Sequence, residues 1–162
     1  MKRRKIVIFL FTLMLLDGLA VAAPQQSGPT CRLSRSDRNL KTFDLMVSDG
    51  DEAVVSGAFS KNQVEVFRNV LTEAQKFARN EEEVGKQEPK TTRFASESEP
   101  GLIVDVTKLD DQSQIFITLT TDMGQLTIEA GTVQRRSKRE QGPFFTLLSR
   151  MQSLLTTPTP AK

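Results

Sequence analysis

From Leu102 to Ala130 apolar side chains recur on every second residue: Leu102, Val104 and Val106, then Ile115, Ile117 and Leu119, then Leu126, Ile128 and Ala130. Successive side chains of a strand point to opposite faces, so this spacing describes strands with one buried face and one wet face. Leu109 to Gln112 interrupts the first run, and Asp122, Met123 and Gly124 form a turn before the last. Strict alternation of this kind belongs to an antiparallel sheet whose polar face stays in water.

The same period appears earlier. Phe43 to Ser48 alternates, Glu52 to Ala58 is rich in small and β-branched residues, and Asp49, Gly50 and Asp51 between them read as a hairpin connection. The period then changes. Ser60 with Gln63 three residues on forms a capping box, and Val64, Phe67, Val70 or Leu71, Ala74, Phe77 and Ala78 fall on one helical face up to Glu83 or Gly85. A polar connection leads to a short strand at 92–96, and Pro143 opens a second helix with an apolar stripe of Phe144, Leu147, Leu148, Met151, Leu154 and Leu155.

The expected order is β-β-α-β-β-β-β-α. The expected fold is a two-layer α+β domain, with a meandering antiparallel sheet of five to six strands covered on one face by two amphipathic helices. Residues 42–155 form that domain, 23–41 a flexible polar leader and 156–162 a disordered tail. At an offset of 74 residues Phe43 meets Ile117, Leu45 meets Leu119, Gly50 meets Gly124, Val54 meets Ile128 and Gly57 meets Gly131. A duplicated ββα unit would explain that match, and so would the glycine turns that hairpins share.

Residues 1–22 have the layout of a secretory signal peptide: four basic residues at 2–5, an apolar run from Ile6 to Leu16, and small residues up to Ala22. Cleavage places the mature chain in the periplasm or outside the cell. Retention of residues 6–23 as a membrane anchor is the alternative, against which Asp17 and the length of the run both count. Loss of Lys2, Arg3, Arg4, Lys5 and Asp17 with the signal turns the net charge from +2 to −1. A nearly neutral chain carries no electrostatic footprint for nucleic acid.

The chain has no His, no Trp, no Tyr and one Cys. That removes Ser-His-Asp and Cys-His catalysis, zinc sites that need imidazole, and any internal disulfide. No phosphate-binding glycine loop or nucleophile-elbow motif occurs, and the acidic turn at Asp49, Asp51 and Glu52 lacks the ligand spacing of a calcium loop. The expectation is a non-catalytic protein with no metal and no cofactor. Cys31, alone in an oxidising compartment, is either an inert thiol or the bridge of a homodimer.

The densest charge lies at Arg135, Arg136, Lys138 and Arg139, just before the second helix, with Phe145 beside it and off the helix's apolar stripe. These five residues are the expected contact surface for an unidentified protein or an anionic component of the envelope. A solvated loop balancing Glu81, Glu82 and Glu83 would have the same composition. Arg136, Ser137, Lys138 and Arg139 also resemble a dibasic processing site of the furin type, which implies a fragment starting at Glu140. Self-association through a sheet edge or through Cys31, as a homo-oligomeric accessory protein, is the competing expectation.

Overall fold

The computed structural model describes residues 28–37, 39, 41–50, 52–80 and 89–156. The signal segment, residues 23–27, Asp51, the Glu81–Glu83 run and the tail from residue 157 lie outside the described residues, and so do the expectations placed on them. Three strands come first, β1 (Pro29–Arg35), β2 (Thr42–Asp49) and β3 (Val54–Ser60), followed by helix α1 (Lys61–Arg79). Strands β4 (Lys90–Ala95), β5 (Leu102–Lys108), β6 (Gln112–Thr121), β7 (Gly124–Gln134) and β8 (Arg139–Gln141) precede helix α2 (Pro143–Thr156).

The chain is an α+β domain in which every strand pair is antiparallel. The strands form two sheets, β1-β2-β3 and β4-β5-β6-β7-β8, rather than one meander of five to six. Alternation shows which face of a strand is buried and is silent about its neighbour, so the break between sheets leaves no mark in the period. Both sheets share one core. Leu45 and Val47 of β2, Val104 of β5, Ile117 of β6, Phe67 and Leu71 of α1, and Phe144 and Met151 of α2 are all closed to solvent within it. Helix α1 lies along β5 beside α2, and α2 packs in turn on β1 and β7.

Two boundaries differ from the sequence reading. Residues 29–35 are a strand and not part of a flexible leader, because Cys31 and Leu33 turn inward opposite Val47 and Leu45 of β2. Helix α1 begins as expected, with Ser60 Oγ accepting from the Gln63 N–H at 3.3 Å and Gln63 Oε1 accepting from the Ser60 N–H at 2.9 Å. It ends at Arg79, where the Asn80 N–H turns back to the Lys76 and Phe77 carbonyls at 3.2 Å, and not near Glu83 or Gly85.

The internal match does not survive as a repeat. The β6–β7 turn spans only Asp122 and Met123 between paired Thr121 and Gly124, whereas β2–β3 closes a longer loop with the Asp49 N–H on the Ala53 carbonyl at 3.0 Å. Val54 is 55% exposed where its counterpart Ile128 is 2% exposed, and β7 carries a register shift opposite Ile115 and Phe116 that the β2–β3 ladder lacks. Among the described residues no helix is long and apolar enough to cross a membrane.

Candidate contact surface

Strand β7 shifts register opposite Ile115 and Phe116, so its inward positions pass from Ile128 and Ala130 to Gly131 and Val133, and Arg135, next in that series just past the strand, also points into the protein. Arg135 is therefore 5% exposed and cannot belong to an outward basic patch. Its Nη1 donates to the Gln112 carbonyl at 2.8 Å and to Ser113 Oγ at 2.9 Å, and its Nη2 donates to the Asp110 carbonyl at 2.7 Å and to the Leu109 carbonyl. The guanidinium thus fastens the β5–β6 loop. Ser113 Oγ passes the connection on, donating to the Ala78 carbonyl in the last turn of α1 at 2.9 Å.

A second buried cation lies nearby, and charge-run reasoning missed it. Lys108 is 4% exposed, with Nζ 4.0 Å from the centroid of the Phe77 ring and donating to the Asn80 carbonyl at 3.0 Å. The available signal was positional, since Lys108 continues the inward series Leu102, Val104 and Val106. The carbonyl end of a helix is the negative pole of its dipole, and cations there are stabilising. Lys108 reaches that end of α1 directly and Arg135 through Ser113.

Past Arg135 the chain turns outward. The Lys138 N–H donates to the Arg135 carbonyl at 3.3 Å, Lys138 adopts φ 54, and Arg139 to Gln141 return as β8 alongside Gln134 to Thr132. Arg136, Lys138 and Arg139 are exposed on this turn, and among the described residues none of them pairs with a carboxylate. With its amide oxygen turned toward Arg139, Gln141 accepts from that guanidinium at 2.8 and 2.9 Å. Glu140 points back to α1, accepting from Arg79 Nε at 2.6 Å and Nη2 at 3.0 Å and from Gln75 Nε2 at 3.2 Å. That hydrogen-bonded pair holds the Arg79 guanidinium above its ordinary pKa. The β5–β6 loop fastened by Arg135 carries exposed Asp110 and Asp111 and adjoins the basic turn, where the Arg135 N–H donates to the Asp111 carbonyl at 3.1 Å.

Phe145 is half-buried and packs against the core, 5.0 Å from the Phe144 ring in a T-shaped pair. It lies over Gly131, where a Cβ would come within 3.2 Å of its ring and 2.7 Å of the Gln141 carbonyl. The bare glycine lets α2 and β8 approach β7, and Phe145 fills that corner instead of standing out from it. Cys31 is buried in β1, and burial pushes its thiol up to about 12, so it stays protonated and enclosed. That placement leaves no exposed thiol for a bridge to a second chain.

Among the described residues no three His, Cys, Asp or Glu side chains gather as metal ligands. Ser60, next to Lys61, is the helix cap. Comparison with protein-family models, with curated proteins and with solved structures gives no match.

Proposed function

We propose that the protein is an exported, non-catalytic binding module that contacts an acidic protein or envelope component through Arg136, Lys138 and Arg139. The observation that carries this reading is the exposure of three cations within four residues on a turn whose base is fixed from below by Arg135. A turn held at its root loses little freedom when a partner engages it, and such preorganisation favours binding. Asp110 and Asp111 on the adjoining loop make the surface one of mixed charge, which suits a partner with discrete acidic groups better than a continuous polyanion. Arg135 leaves the contact set because its charge is engaged inside.

The homo-oligomeric alternative has weaker support. Of the edge strands, β1 and β4 carry Pro29, Arg32 and Arg35, and Lys90 and Arg93, residue types that discourage edge-to-edge pairing, whereas the edge strand β3 carries no charge. Paired baits of residues 23–162, one native and one R136Q/K138Q/R139Q, test the proposal against the envelope and secreted fractions of the source organism. A partner held by the native bait and lost by the variant, in a salt-dependent manner, supports it. Equal capture by both baits, or capture by neither, overturns it.

A further inference from the structure

Within residues 23–162 adjacent basic residues occur twice, as Arg135–Arg136 and Lys138–Arg139, and the fold makes these two pairs unequal. We infer that a protease specific for paired basic residues cuts the folded protein at the Arg139–Glu140 peptide bond, spares Arg136–Ser137, and leaves α2 seated. This inference is independent of what the exposed cations contact.

Such a protease draws both basic side chains into acidic pockets, so both must be able to leave the protein surface. The Arg135 guanidinium lies inside with four acceptors, and withdrawing it strands the carbonyls of Leu109, Asp110 and Gln112. Lys138 and Arg139 are exposed and need no such withdrawal. The backbone around the bond must also extend into the protease cleft. Strand β8 has three residues, sits at the edge of its sheet, and is held by β7 on one side and by the Glu140–Arg79 pair. Short edge elements open locally at far lower cost than the whole domain. Lys138 at φ 54 occupies a left-handed conformation that is unfavourable for a side chain with a Cβ, and opening the turn relieves it.

In net terms a water oxygen adds to the Arg139 carbonyl carbon, the C–N bond breaks, and both protons of that water pass to the departing nitrogen. A carboxylate remains on Arg139 and an ammonium on Glu140. The segment from Glu140 onward does not diffuse away, because Phe144, Leu147, Leu148 and Met151 of α2 are buried in the shared core. Cleavage therefore gives a nicked two-chain protein instead of a released peptide.

The test treats the folded full chain, and separately a synthetic peptide of residues 131–145, with one serine endoprotease of paired-basic specificity. Fragments are read by intact mass. The peptide is expected to be cut after both Arg136 and Arg139, and the folded chain after Arg139 alone, with loss of that cut in R139Q and its retention in R135K. The nicked product should elute as one species in native buffer and as two in denaturant. Resistance of Arg139–Glu140 under conditions that cut the peptide, or a first cut after Arg136, overturns the site. Separation of the fragments in native buffer overturns the retention of α2.

Discussion

One peptide step separates two kinds of cation. Arg135, just past β7, continues the inward parity that the strand takes after its register shift, and spends its charge on the Gln112, Asp110 and Leu109 carbonyls and on Ser113. Arg136, Lys138 and Arg139 lie beyond that parity and stand in water. Lys108 repeats the inner case one hairpin away, at the end of β5. Strand parity, and not local charge density, decides which cation is built into the protein and which stands in water. Burying a guanidinium is tolerable only because its donors are hydrogen-bonded, and removing it leaves acceptors orphaned.

The largest effect belongs to the inner cation Arg135. Arg135→Met should destabilise the domain by about 2–4 kcal/mol, since three loop carbonyls lose a charged donor and water reaches them poorly. Urea unfolding followed by circular dichroism measures this, and a variant as stable as the native chain would make Arg135 one more surface cation. Lys108→Met keeps the apolar stem and loses the Asn80 contact and the attraction to the Phe77 ring, a cost of about 1–2 kcal/mol by the same measurement.

Much of this arrangement is readable in the residues alone. The α1 start is local chemistry, Ser60 and Gln63 satisfying each other's backbone donors, and the β5 to β7 alternation is local as well. Strand β1 is not local. Cys31 and Leu33 are too few to declare a strand, and their support comes from Val47 and Leu45 of β2. The partition into two sheets likewise depends on which strands α1 separates. The candidate surface was half legible. Its position was marked by the run of basic residues, whereas the removal of Arg135 from it depends on the parity set by Val133 and on the short return of β8 beside Gln134.

Cys31 is a buried group of another kind, because burial alone perturbs it, without the carbonyl partners that Arg135 and Lys108 acquire. Its pKa rises from 9.0 to about 12 in the fold, so the folded state keeps a proton that the unfolded chain releases. Stability is therefore unaffected by this group below pH 9 and falls as pH rises from there to about 12. One proton gives a slope of about 1.4 kcal/mol per pH unit. Cys31→Val removes the titrating group, so urea midpoints of the two proteins should diverge above pH 9 by that slope and stay parallel below it. Parallel curves throughout would mean that the thiol ionises in place.

The smallest stability effect belongs to the outer cations, and it is the one that bears on function. R136Q/K138Q/R139Q removes three exposed charges without touching a buried group, so the unfolding free energy should move by no more than about 0.5 kcal/mol. Phe145 over Gly131, the Glu140–Arg79 pair and the Arg135 clamp all remain. Association with an acidic partner should nevertheless disappear, because the attraction that steers such a partner scales with the charge presented. A triple variant that unfolds would transfer these side chains to the inner class. A triple variant that folds and still binds would leave the turn as solvated surface, with its sequence explained by the loop it closes.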